Sequence, residues 1–155
     1  MRTPLTVRAM LIGCGATKTN HATEAQHLYT GELFKARREY AQASGEPWAI
    51  LSALHGLIFP TQLVEPYDHK LPPQKQGRML WALRTAGQIR QWLSGLGADL
   101  ADVSHPWTID PSTRITIVAG EFYQEPLGEF LRPMGIEIEW PFQHMAIGQQ
   151  IAALK

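Results

Sequence analysis

Short apolar runs alternate along this chain with longer stretches in which apolar residues recur every three or four positions. "TVRAMLIG" (6–13) is apolar enough for a buried strand, and Gly13 and Gly15 punctuate its end. "GELFKARREYAQASG" (31–45) carries Leu33, Phe34, Arg37, Tyr40 and Ala41 at helical spacing, with Thr30 placed to cap its start and Gly45 its end. "WAILSA" (48–53) predicts the second strand. Over 53–73, Pro60, Pro66, Pro72 and Pro73 prevent a regular helix and predict a loop. The longest helical pattern runs from Gln76 to Leu96, with Met79, Leu83, Ala86, Ile89, Leu93 and Leu96 as one apolar stripe. After a polar connection (99–113) come a third strand (114–120), a short helix (125–134), a fourth strand (136–140) and a closing helix (145–155).

The order βαβαβαβα predicts an α/β fold in three layers, a mainly parallel sheet of about four or more strands with helices on both faces. "IEIEW" alternates polar and apolar residues, which places the fourth strand near an edge. At 155 residues the chain is expected to be a single domain, 1–155. In open α/β sheets ligands bind beyond the carboxyl ends of the strands. Those ends read "GCGATK" (13–18), "SALHG" (52–56), "AGEFY" (119–123) and "WPFQH" (140–144), so Cys14, Lys18, Ser52, His55, Glu121, Tyr123 and His144 are expected at one rim. "LSALHGL" (51–57) ends on residues that are not the usual turn formers. It reads as a cleft wall, with Ser52 and His55 facing the opening and Leu51, Ala53 and Leu57 packed inward.

Charge narrows the function classes. Lys+Arg and Asp+Glu both number 14, so a strongly basic nucleic-acid footprint is absent. The single Cys14 excludes an internal disulfide and suits a reducing cytoplasm. The N-terminal apolar segment is too short to span a bilayer. A soluble cytoplasmic protein without a membrane partner is expected.

Six motifs stand in order from end to end: "IGCGATK", "LYTGELFKARREYA", "PWAILSALHGLIFP", "VEPYDHKL", "VAGEFYQEPL" and "IGQQIAAL". That succession resembles an uncharacterised bacterial and phage domain family (DUF6884-like). "LSALHGL…VEPY" is more distantly similar to the peroxide-stress YaaA family, implicated in DNA binding and protection from oxidation. The C-x-x-x-K…Y-T region resembles the catalytic domain of archaeosine synthase, which modifies a deazaguanine base in transfer RNA. The resemblance implies a link to nucleobases or nucleic acid.

Several groups carry candidate chemistry. As a thiolate, Cys14 is a nucleophile, favoured by Lys18 and by the N–H groups of a Gly-rich turn; the other reading is a small buried apolar residue. "GCGATK" matches neither the P-loop nor the dinucleotide fingerprint, which leaves generic anion binding, with Lys18 as a point charge for phosphate or carboxylate. An imidazole titrates near neutrality, so His55 is a general acid/base or else a loop hydrogen-bonder. Ser52 either donates to a ligand or caps backbone groups. Tyr67 and Tyr123 either frame a planar ring or pack at the rim, while Glu65 or Asp68 accepts base N–H donors and Gly120 lines the same site. The six histidines show no metal-ligand spacing, so neither metal nor cofactor is expected. Trp81 and Trp92 read as helix-packing residues.

The leading expectation is an enzyme processing a nucleobase or nucleotide, with base-modifying transferases and glycosidic-bond enzymes as the classes in view. Catalysis falls to Cys14, Lys18 and His55, and binding to Ser52, Glu65, Tyr67, Gly120 and Tyr123. Its partner is a nucleotide-like small molecule or modified base. The alternative is a non-catalytic nucleic-acid-binding protein using Arg37, Arg38, Lys70, Lys75, Arg78 and Arg84.

Overall fold

The computed structural model of the chain describes residues 6–98, 109–142 and 147–154. In chain order the elements are β1 (Arg8–Gly13), β2 (Thr23–Glu24), α1 (Ala25–Leu28), α2 (Glu32–Ser44), β3 (Trp48–Ser52), β4 (Gly56–Ile58) and β5 (Leu63–Val64). There follow α3 (Lys75–Gly95), β6 (Arg114–Val118), α4 (Glu121–Leu131) with a 3-10 turn at Arg132–Met134, β7 (Glu137–Glu139) and α5 (Ile147–Leu154).

β1 lies at the centre of a five-stranded sheet ordered β4-β3-β1-β6-β7. β3, β1, β6 and β7 run parallel, and β4 closes the far edge antiparallel to β3. Strands covered on both faces read as continuous apolar runs, which is why the sequence "AMLIG" carries no polar alternation. Ala9 and Leu11 pack on one face with Ala86, Ile89 and Leu93 of α3 and Leu127 of α4. Met10 and Ile12 pack on the other with Phe34 and Ala41 of α2, Leu28 of α1 and Leu154 of α5. Helices therefore cover both faces. β7 sits at an edge with Glu137 and Glu139 exposed, paired with Arg114 at 3.5 and 4.0 Å.

Several local expectations change. The segment 53–73 holds β4 and β5 rather than loop alone. "LSALHGL" is a hairpin: Ser52 pairs with Gly56 across a three-residue turn, and Gly56 takes φ +77°. Strands of two or three residues draw their order from tertiary partners and leave little periodic trace. The cap of α2 is Gly31 rather than Thr30, while Gly45 closes that helix at φ +71°, with its N–H bonded to the Gln42 carbonyl. α3 buries Trp81, Ala82, Thr85, Ala86, Ile89 and Leu93, and Leu83 of the expected stripe is 51% exposed. Thr85 can enter that face because its hydroxyl donates to the Trp81 carbonyl at 2.7 Å. α4 starts at Glu121, four residues before its expected start, and accommodates Pro126 inside it at the cost of one backbone hydrogen bond.

Connection order defines a switch point. From β1 the chain crosses through α2 to β3 on one side, then returns over β1 through α3 to β6 on the other. The connections diverge at the carboxyl ends of β1 and β6, the place where ligands bind in open α/β sheets.

Candidate functional site

Cys14 follows the last residue of β1, and its N–H donates to the Leu51 carbonyl at 3.0 Å. It continues the Met10 and Ile12 row and is partly buried against that core. Tyr123 lies in the first turn of α4, partly buried against the opposite core. The two side chains meet across the strand ends, with Cys14 Sγ 3.3 Å from the Tyr123 hydroxyl. Gly120 lies at the head of α4, where its carbonyl accepts the N–H groups of Tyr123 and Gln124.

A second group of hydroxyls adjoins this pair. The Tyr67 hydroxyl is 2.6 Å from the Tyr29 hydroxyl and 2.6 Å from Ser52 Oγ. Ser52 is fully buried, so it does not face solvent as expected; its Oγ accepts the His55 N–H at 3.1 Å and stabilises the hairpin turn. Of its two expected roles, this is the capping one. The His55 ring stands edge-on to Tyr67, with centroids 5.2 Å apart. Lys18 pairs with Tyr29 through an isolated antiparallel bridge, and its Nζ stands 4.5 Å from the Tyr67 ring centroid and 5.8 Å from that of Tyr29. Nζ also donates to the Ala16 carbonyl at 3.2 Å.

Electrostatics keep these hydroxyls neutral. Burial, then the nearby Cys14 thiol, pushes Tyr67 up to about 12. Burial, again followed by Cys14, raises Tyr123 far above its usual range, and burial with Tyr67 beside it raises Tyr29. Tyrosines in this state donate hydrogen bonds to developing anions and do not act as bases. Burial, then the Arg84 guanidinium, lowers His55 below its ordinary 6.5, which leaves the imidazole neutral and able to accept a proton at neutral pH.

The structure thus brings Cys14, Lys18, Ser52, His55, Tyr67 and Tyr123 into one connected cluster, with Gly120 beside Tyr123. Glu65 lies exposed directly after β5. Glu121 opens α4, and His144 lies outside the described residues. Among the described residues, no group of three His, Cys, Asp or Glu is placed to hold a metal, and no helix is long and apolar enough to cross a membrane.

Four residues join the site without having been singled out for it. Tyr29 anchors the hydroxyl chain. Trp81 is a packing residue, as read, but its Nε1 also donates to the Ser52 carbonyl at 2.9 Å and its ring stands edge-on to Tyr123, at 5.2 Å. Gln124 donates to the Ala119 carbonyl at 2.6 Å and fixes the turn from β6 into α4. Arg37 is only 5% exposed, beneath the end of β1, where it cannot meet a duplex. Arg38, Arg78 and Arg84 donate to backbone carbonyls of Gln26, of Pro72 and Pro73, and of Leu54. Internal bonding therefore occupies much of the basic set that a nucleic-acid surface would need.

A cavity of about 520 Å³ lies elsewhere, between β4 and α3, lined by Leu57, Phe59, Gln88 and Trp92 among others. No titratable side chain lines it.

No curated protein matches the chain. A family of unknown function, DUF6884, matches residues 9–155, a span that takes in every residue of the cluster. The chain belongs to the DUF6884 family.

Proposed function

We propose that this protein is an enzyme acting on a nucleobase or nucleotide at the carboxyl ends of β1 and β6. The observation that carries the reading is the 3.3 Å approach of Cys14 Sγ to the Tyr123 hydroxyl at the switch point of the sheet. Cys14 is the nucleophile. Tyr123, held neutral, donates to the charge that develops on the reacting group. His55 takes or returns the proton, its imidazole being neutral at the start. Tyr67 and Lys18 form a face on which a planar ring can stack, with the ammonium supplying charge.

The nucleobase class follows the resemblance expected from the sequence motifs alone, and is supported by the aromatic and cationic lining of Tyr29, Tyr67 and Lys18. An enzyme is preferred over a nucleic-acid-binding module because Arg37 is buried and three other arginines are bonded to backbone carbonyls. The test is a titration with free nucleobases, nucleosides and nucleotides, set beside duplex binding at rising salt. Saturable small-ligand binding that Lys18→Ala abolishes supports the enzyme. Duplex binding that weakens steeply with salt and survives His55→Ala refutes it.

A further inference from the structure

Among the described residues, Arg37 is a buried cation without an anion. Its Nη1 approaches the Gly13 carbonyl at 3.5 Å and its Nη2 the Gln150 Oε1 at 3.4 Å, both at the outer limit of a hydrogen bond. Its Nε is buried with no hydrogen-bond partner. No carboxylate among the described residues pairs with it; the groups whose charge it senses are Cys14 and Tyr123. Burial of an unpaired guanidinium is costly, and two neutral oxygens at long range compensate little of that cost.

The fold makes room for this placement. A Cβ on Gly13 would stand 2.9 Å from Arg37 Nη1 and 3.1 Å from the Ala119 Cβ, so the missing side chain admits the guanidinium beside the ends of β1 and β6. Lys18, the other cation of the cluster, meets a carbonyl and two aromatic rings. The site therefore holds two positive groups among neutral hydroxyls. An anion with several oxygens would satisfy the fork of Arg37.

We propose that Arg37 anchors the phosphate of a mononucleotide substrate, entering over Gly13 and Ala119 so that its base lies towards Tyr67. This rests on reading the strand-end cluster as a nucleotide site, and it narrows the substrate from a base in a polymer to a nucleoside monophosphate. Each additional charge-assisted hydrogen bond adds enough to make the phosphate count for about 10- to 100-fold in affinity.

The experiment compares nucleoside 5′-monophosphates with their parent nucleosides by calorimetric titration of the whole chain, alongside Arg37→Gln and Arg37→Lys. The monophosphate is expected to bind about 10- to 100-fold more tightly to the native protein. Arg37→Gln should erase that ratio, and Arg37→Lys, which keeps charge but loses the fork, should retain part of it. An unchanged ratio in Arg37→Gln overturns the proposal. Inorganic phosphate against chloride at matched ionic strength supplies an arm free of variants. Phosphate should raise the melting temperature and slow alkylation of Cys14; if it does neither, the proposal falls. Nucleosides that bind as well as their monophosphates would remove the Arg37 anchor and leave the nucleobase reading standing. Phosphate binding through Arg37 with no gain from any nucleoside would do the reverse.

Discussion

Cys14 and Tyr123 are separated by 109 positions in sequence, yet the thiol and the phenol hydroxyl lie 3.3 Å apart. One ends the central strand, the other rides the first turn of α4, and they come from opposite faces of the sheet. The pair therefore meets where the connections from β1 and β6 diverge, the switch point of the sheet. On the proposed chemistry, Cys14→Ser keeps ligand binding and loses turnover by about 10³-fold or more, as when a nucleophile is removed from an otherwise intact site. Single-turnover kinetics beside a binding titration check this; full turnover in the serine variant rules out a covalent role.

Tyr67 is the hub of the hydroxyl chain. Tyr67→Phe leaves the buried Ser52 Oγ and Tyr29 hydroxyl each without that partner, and is expected to cost about 1–3 kcal/mol of stability. Chemical denaturation measures it. The same variant changes the alkaline limb. The folded protein holds the Tyr67 proton up to about 12, whereas the unfolded chain releases it near 10.0. Stability from this source is complete below pH 10 and falls as pH rises towards 12. In Tyr67→Phe the decline across that window becomes shallower.

His55 gives the opposite sign. Its pKa lies below 6.5, first through burial and then through Arg84, so its contribution is present above pH 6.5 and is lost as pH falls. Arg84→Ala removes the repulsion and should move the His55 titration upwards. Ring-proton NMR from about pH 4.5 to about 8.5 follows it directly, a window that spans about two units either side of the usual imidazole value. An unmoved or lowered titration contradicts the assignment of Arg84 as a cause.

Gly56→Ala tests the hairpin beneath the cluster. Position 56 has φ +77°, and a Cβ there would collide with the Gln88 side chain, which also accepts the Leu57 N–H. The expected loss is about 1–3 kcal/mol, or roughly 2–10 °C in melting temperature. Gly45→Ala has the same backbone penalty but open space around its Cβ, so it should cost less.

Much of the architecture was legible because it rests on long periodic segments. The alternation of apolar strands with amphipathic helices gave the parallel sheet, and the polar alternation of "IEIE" gave the edge position of β7. β4 escaped because three residues carry too little pattern, and because Ala53, Leu54 and His55 form a turn without the usual Asn-Gly signal. The buried face of α3 turned away from Leu83 because Trp81, through the Ser52 carbonyl, and Thr85, through its own helix, satisfy their polar atoms and can enter the core. In the cluster, Cys14, Lys18, Ser52, His55 and Tyr123 were legible from their places at strand ends, and Tyr67 from the proline-containing loop. Tyr29 and Arg37 were not. A tyrosine before a helix and an arginine at helical spacing look like ordinary packing and surface residues until the tertiary fold buries them.

The central claim is that the strand-end cluster is a ligand site for nucleobases or nucleotides. Cys14 is the chain's one cysteine, so alkylation by iodoacetamide, followed by intact-protein mass spectrometry, reports on that position alone. The account predicts that at least one nucleoside or nucleotide slows the modification saturably, and that Tyr67→Phe or Lys18→Ala weakens the protection. A panel of the common bases, nucleosides and monophosphates that leaves the Cys14 alkylation rate unchanged at saturating concentration would contradict it.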